Sequence, residues 1–396
     1  MPAGSSWVTS ATTATRAGAK SHISLQSGRS RRAGCSLTSR RGFMQMALAA
    51  VACPQTTLPQ AELDALYDRS LVVDTLCLVD DSTSHPERIA EAWLADWKVS
   101  GYTAIQTSLP NRDFAVAMLA LEHWRARFAE HTATLIRCEK AADIERAKRE
   151  GKLAVILGFQ NATIVESRGD NLDKLYAAGT RCIQLTYNSR NLLGDGCTER
   201  TNAGLSDFGL ACLERMNRLG IIVDLSHCGE QTTADAILFS TEPPAFTHTI
   251  CKALHHHPRA KPDELLRALS NRGGVTGIMA LGYMVGPTEK TSLEDYLRHI
   301  DHAVKVAGID HVGLATDFSL RGIEATATRE TWYLPRLRTF KPSYNVRWPP
   351  WIPELDKLER FRTVAHALGR RGYKAADIEK ILGGNWVRYF REVFRG

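Results

Sequence analysis

The sequence predicts an α/β fold closed into a (β/α)8 barrel, and three observations predict it. From about residue 60, short β-branched or apolar runs alternate with longer stretches of helical periodicity. There are eight such runs, and no G-x-G-x-x-G or P-loop follows any of them. Alternation of this kind belongs to parallel sheets covered by helices, and without phosphate-binding glycines the nucleotide-binding open sheet has no support.

The eight predicted strands are Leu71 to Val73, Thr103 to Thr107, Ala154 to Phe159, Arg181 to Thr186, Ile221 to Ser226, Ala245 to Thr247, Gly274 to Ala280 and Val312 to Thr316. Helical periodicity falls between them, over Pro86 to Val99, Asp113 to Ala129, Ala141 to Arg149, Leu205 to Leu219, Asp263 to Ser270 and Leu293 to Ala307. Trp348 and Trp351, among Pro349, Pro350 and Pro353, read as a cap over the barrel mouth. Leu355 to Phe394 reads as two amphipathic helices interrupted by Gly383-Gly384. Residues 60–396 therefore form one barrel domain with closing helices.

The net charge of +7 over 396 residues belongs to one end of the chain. Residues 1–53 hold seven basic side chains and no Asp or Glu, which leaves 43 basic against 43 acidic residues in the rest. A neutral body argues against a nucleic-acid partner. The leader runs through Arg40-Arg41-Gly42-Phe43 into an apolar stretch ending at Ala52, and resembles a twin-arginine export signal removed after Ala50-Val51-Ala52. That stretch is ten residues long, whereas a membrane span needs about 20, so no span is expected in the mature protein. The leader implies a periplasmic or secreted protein. Cys53 raises a lipoprotein reading that Ala50, three places before it, weakens; an organelle transit peptide is a further reading of the same composition. The seven cysteines beyond Cys53 are scattered and odd in number, which is no disulfide framework, and Cys182 reads as a small buried hydrophobe.

Two apolar runs end in histidine. Ile221 to His227 and Ala245 to His248 each place an imidazole where barrel enzymes assemble their sites, and Val312 to Asp317 adds a carboxylate at another strand end. Neutral imidazole and carboxylate suit zinc and similar divalent ions. The run His255-His256-His257 reads as a solvated loop, and Asp80 and Asp81 as loop carboxylates.

These residues resemble those of the membrane dipeptidase (renal dipeptidase-like, peptidase M19) family of zinc peptidases. The likeness rests on Gln184 to Asn188, Gly204 to Gly209, Asp224-Leu225-Ser226-His227, Thr247-His248, His257-Pro258-Arg259 with Asp263 to Leu266, Gly313 to Phe318 and Gly383-Gly384-Asn385-Trp386. It implies a metal-dependent (β/α)8 barrel that hydrolyses dipeptides, and a homodimer. On the matching positions, His227 and His248 correspond to ligands of one ion, Arg259 to the arginine that grips the substrate carboxylate, and Asp317 to the catalytic aspartate. Tyr187 stands where the family has a histidine that helps polarise the scissile carbonyl.

The likeness is broken at the other ion. Leu76 and Leu78 occupy the positions of the family's His-x-Asp ligands, and Gln160 replaces its bridging Glu. Two divalent cations about 4 Å apart need bridging anions, which a neutral amide does not supply. One zinc at most is expected, on His227 and His248 with Asp317 or the weaker Gln160 carbonyl as third ligand. Two functions follow from different classes: a metal-dependent hydrolase of dipeptides or related small amides acting through a zinc-activated water, or a catalytically inactive barrel that binds a small carboxylate ligand. A metal-free enzyme using Asp317 and Tyr187 as base and acid is a third.

Overall fold

The computed structural model describes residues 58–79 and 88–395. The leader, Cys53, Asp80 and Asp81 lie outside the described residues. Eight parallel strands follow in chain order: β1 (Val73–Asp74), β2 (Ala104–Ser108), β3 (Leu153–Phe159), β4 (Thr180–Gln184), β5 (Ile222–Asp224), β6 (Phe246–Cys251), β7 (Thr276–Ile278) and β8 (Val312–Leu314). Each overlaps one of the eight predicted runs, β1 by Val73 alone and β6 by Phe246 and Thr247. Strands β1 to β5 pair in that order, and β6 to β8 form a second ladder in that order. Leu135–Arg137 pairs with the first half of β3, and β4 takes the second half.

Two seams close these ladders into the barrel. Between β5 and β6 the backbone pairs only around Asp224 and Ala245. Between β8 and β1 the strands themselves form no ladder, and pairing begins beyond them, at Phe318–Ser319 against Cys77–Leu78. A buried aspartate crosses each seam. Asp224 Oδ1 accepts from the backbone N–H groups of Ser226 and Thr247, and its Oδ2 accepts from Thr247 Oγ1 at 2.7 Å. Asp74 repeats the pattern with Leu76 N–H, Thr316 N–H and Thr316 Oγ1, the last at 2.8 Å. These carboxylates supply the acceptors that a continuous ladder would have supplied.

The helices predicted over Asp113 to Ala129, Ala141 to Arg149, Leu205 to Leu219, Asp263 to Ser270 and Leu293 to Ala307 form with ends moved by two residues at most. Three of them start on side-chain caps: Asp113 accepts from Val116 N–H, Ser206 from Gly209 N–H, and Ser292 shares a capping box with Asp295. Helices at Gln60–Arg69, Asn171–Ala177 and Glu230–Phe239 were not predicted. The C-terminal stretch holds three helices rather than two, Arg360–Arg370, Ala375–Glu379 and Asn385–Val393, the last two joined by a bend over Lys380–Gly384.

That last helix closes the barrel floor. Trp386 is fully buried and clusters with Val73, Ala104, Ala154, Ile222 and Ala245 from the strands. Gly313 on β8 has to be glycine, because a Cβ there would meet the Trp386 indole nitrogen at 2.1 Å. Asn385 Nδ2 donates to the carbonyls of Ile309 and Val312 and so ties the plug to the start of β8. The Gly-Gly-Asn-Trp sequence is thus a structural device at the end opposite the candidate site.

Candidate active site

The strands deliver the candidate residues to their C-terminal ends. Gln160 follows β3 directly, Tyr187 and His227 lie three residues past β4 and β5, and Asp317 lies three past β8. His248 differs from its expected place at a strand end: β6 continues to Cys251, and the imidazole projects from within the strand.

His227 and His248 converge, with their Nε2 atoms 3.0 Å apart, and Gln160 Nε2 lies 3.1 Å from His248 Nε2. What faces the far side of each ring fixes its tautomer. His227 Nδ1 lies 2.7 Å from Asn188 Oδ1, on which the Cys197 thiol also converges, so this Asn188 atom is the acceptor and His227 Nδ1–H the donor. His248 Nδ1 lies 2.8 Å from Thr247 Oγ1, whose own proton goes to Asp224, so His248 Nδ1–H donates as well. Both Nε2 atoms therefore carry lone pairs, and the two lone pairs face one another. Burial, reinforced by the Arg259 charge, holds both imidazoles well below the usual histidine range and keeps them neutral.

Facing lone pairs at this distance repel unless a cation sits with them or a donor turns in, and here the Gln160 amide N–H donates to His248. Rotating that amide by half a turn would present a carbonyl oxygen instead. Two imidazoles with one amide oxygen fit a single divalent ion completed by water or substrate. For a second ion the described residues offer no ligand set. Leu76 is buried, Leu78 stands two residues on, and among the described residues there is no group of three or more His, Cys, Asp or Glu that could hold a metal. Gln160→Glu is accordingly expected to tighten zinc binding by roughly 10–100-fold in a chelator competition assay, since it puts a carboxylate beside the His248 lone pair.

The Asp317 carboxylate takes no hydrogen bond among the described residues, and its φ of 69° places it in the left-handed region, which Asp tolerates. Burial raises its pKa to about 7, against lowering by Arg259 and Arg336. Tyr187 stacks on the His227 ring, with centroids 4.1 Å apart, and burial pushes its phenol up to about 12, so it stays protonated and can donate. Arg259 is fully buried, and its guanidinium is committed to the chain: Nε donates to Ser226 O at 3.2 Å and Nη2 to His248 O at 2.7 Å, while Nη1 lies against the Met279 and Met284 sulfurs.

Four residues outside the expected set shape the site. Asn188 and the Asp224–Thr247 pair fix the imidazole tautomers. Lys261 is buried, its pKa lowered to about 8 by burial, and donates to Cys228 O at 2.8 Å, bracing the turn that carries His227. Asp224 and Asn188 lie within sequences already singled out, but nothing in a sequence says which atom a side chain faces. His257 corrects the solvated-loop reading of the histidine run. It is buried, with Nε2 donating to Tyr344 O at 2.8 Å, and it joins that loop to the cap.

The family model for membrane dipeptidase matches residues 40–330. Dipeptidase tcpJ of Claviceps purpurea is 29% identical over 257 residues, covering 64% of this chain and 54% of that protein. An uncharacterized protein in the pqqA 5' region of Klebsiella pneumoniae is 28% identical over 276 residues, covering 67% and 92%. The chain thus spans about half the length of the first of these relatives. A solved amidohydrolase from Pseudomonas aeruginosa shares the fold with a TM-score of 0.75 at 27% identity, over 85% of this chain and 99% of that one. A family match over well more than half of its residues, on the barrel those relatives share, means that the chain belongs to the membrane dipeptidase family, peptidase family M19.

Proposed function

We propose that the protein is an exported hydrolase of dipeptides or related small amides that works with a single divalent ion, zinc. The observation that carries this reading is the pair of imidazole lone pairs held face to face at 3.0 Å by hydrogen bonds on their far sides. His227 and His248 would hold the ion, with Gln160 in its rotated form beside them. A bound divalent ion supplies Lewis acidity at a scissile carbonyl. The chain's own groups supply the rest: Asp317 accepts a proton near neutral pH, the Tyr187 phenol donates to a carbonyl oxygen, and Arg259 places a fixed positive charge under the pocket. The leader before the barrel supports export. Among the described residues no helix is long and apolar enough to cross a membrane.

Metal analysis of the purified protein with a dipeptide panel tests this. About one zinc per chain with metal-stimulated release of amino acids is expected. Zinc far below one equivalent and no release would leave the second reading, an inactive barrel binding a carboxylate ligand, which the leucines at 76 and 78 favour.

The pH profile carries a sign. A base whose pKa is raised to about 7 is protonated below that pH, so hydrolysis falls on the acid side of pH 7, and Asp317→Asn removes activity at every pH. The same raised pKa means that ionising Asp317 costs folded-state stability increasingly as pH rises from about 4 to 7. Asp317→Asn is therefore expected to melt about 2–4 °C higher at pH 8, and by less at pH 5, in a thermal scan.

A further inference from the structure

Leu76 and Leu78 stand where the family carries ligands of its other ion, and what they do instead follows from the way they face. The chain beyond β1 pairs with the chain beyond β8, Cys77 against Phe318 and Leu78 against Ser319, and Asp317 N–H donates to Leu76 O at 2.9 Å. Cys77 packs into the apolar core. Successive side chains of an extended segment point to opposite faces, so the leucines on either side of Cys77 turn away from that core and toward the barrel mouth. Their surroundings agree. Leu76 is buried and Leu78 half-buried, yet among the described residues neither belongs to an apolar cluster of the barrel. Beside the candidate base there is thus an apolar wall that the packing of the core does not account for.

The charge around that wall is mostly positive. Arg259 and Lys261 act on both imidazoles, and Arg259 and Arg336 act on Asp317. The carboxylates whose charge reaches Asp317 are Asp74 and Asp224, both fully buried, and their oxygens already accept from Leu76, Thr316, Ser226 and Thr247. Asp224 Oδ2 comes within 4.0 Å of His248, but on the Nδ1 side of the ring, away from Nε2. Gln160 and Tyr187, half-buried like Asp317 and Leu78, carry no charge. An α-ammonium brought here would find Asp317 as its counter-ion, the group the reaction requires as base, and would otherwise face Arg259, Lys261, Arg336 and the bound divalent ion.

We propose that the substrate is an N-acyl amino acid, an amide with an apolar acyl chain and no α-ammonium, rather than a dipeptide with a free N-terminus. The acyl chain lies against Leu76 and Leu78. This rests on the reading of the site as an amide hydrolase, and the bond chemistry is unchanged: the C–N bond breaks, the hydroxyl of water goes to the acyl carbon and its proton to the amine, leaving a carboxylic acid and a free amino acid.

Turnover of N-propionyl-alanine against alanyl-alanine, by the full chain as purified with zinc and with both configurations of the alanine, tests this, because the two amides differ only in the α-ammonium. The acyl compound is expected to exceed the dipeptide by at least about 10-fold in kcat/KM, and lengthening it to N-hexanoyl-alanine to raise the value by up to about fourfold for each methylene buried. Leu78→Asp, which puts a carboxylate on the wall, is expected to reverse the preference. Calorimetry on the wild type reads the same discrimination without turnover: hexanoate is expected to bind at least about 10-fold more tightly than norleucine, which is hexanoate with an α-ammonium. Alanyl-alanine cleaved as well as N-propionyl-alanine, norleucine bound as tightly as hexanoate, or an unchanged preference in a folded Leu78→Asp overturns the inference and leaves the hydrolase reading standing. Cleavage of neither amide overturns the hydrolase reading, and the inference with it.

Discussion

Replacing His227 by alanine is expected to abolish metal uptake, taking zinc from about one equivalent to below one tenth in metal analysis and lowering hydrolysis by at least about 1,000-fold. Three features make the effect large. Among the described residues the site has two imidazoles and no cluster of three ligating side chains, so one loss removes half of its nitrogen donors. His227 also supports Tyr187 through the stacked ring, so the phenol loses its platform along with the ion. Asn188 would then keep a buried Oδ1 without its His227 donor. A fold intact by circular dichroism, with zinc still bound at one equivalent, would show that the two lone pairs are not where the ion sits.

Asp224→Asn should be nearly as damaging to metal binding while leaving the barrel standing, and the reason is a proton's direction. In the wild type the Thr247 hydroxyl donates to Asp224 Oδ2, so its oxygen accepts from His248 Nδ1–H and leaves Nε2 bare. With asparagine, the amide oxygen can keep the Oδ1 position, where Ser226 N–H, Ser226 Oγ and Thr247 N–H all converge. The amide NH2 then faces Thr247 Oγ1 and donates to it. The hydroxyl proton has to turn, and the nearer of its remaining neighbours is His248 Nδ1, at 2.8 Å against 3.3 Å for Ser226 Oγ. Donating there, it drives the imidazole into the Nε2–H tautomer, which cannot bind a metal. Imidazole nitrogen NMR should show the switch directly, and zinc affinity should fall by roughly 10–100-fold or more. Asp224→Ala, which leaves two backbone N–H groups and two hydroxyls without their acceptor, should instead cost about 3–5 kcal/mol of stability in urea unfolding. An unchanged tautomer and unchanged zinc affinity in Asp224→Asn would mean that the hydrogen-bond relay does not control the ring.

The periodicity of the chain made the barrel legible because each strand is a short apolar run buried on both faces, and such runs are hard to hide. The helices that went unseen are of a different kind. Glu230–Phe239 carries two threonines and almost no segregation of polar from apolar faces, and Asn171–Ala177 is only two turns long, so neither repeats strongly enough to register. At the site, the strand-end pattern pointed to His227, His248 and Asp317, and the family resemblance to Gln160, Tyr187 and Arg259. Residue type could not tell that Arg259 turns its donors to backbone carbonyls, that His257 is buried against Tyr344, or that Thr247 relays the Asp224 charge to an imidazole. Those facts depend on which atoms meet across strands far apart in the chain.

The aspartates that bridge the two seams have a consequence for how the molecule moves. A cylinder opens most easily where its backbone pairing is sparsest, here between β5 and β6 and between β8 and β1. Asp224 and Thr247 guard the first line and Asp74 and Thr316 the second, and the residue after each threonine, His248 or Asp317, belongs to the candidate site. Breathing of the barrel wall and distortion of the reactive groups are then one event. Anything that stiffens those lines, as an ion between His227 and His248 would the first, holds the wall closed and the reactive groups in register together.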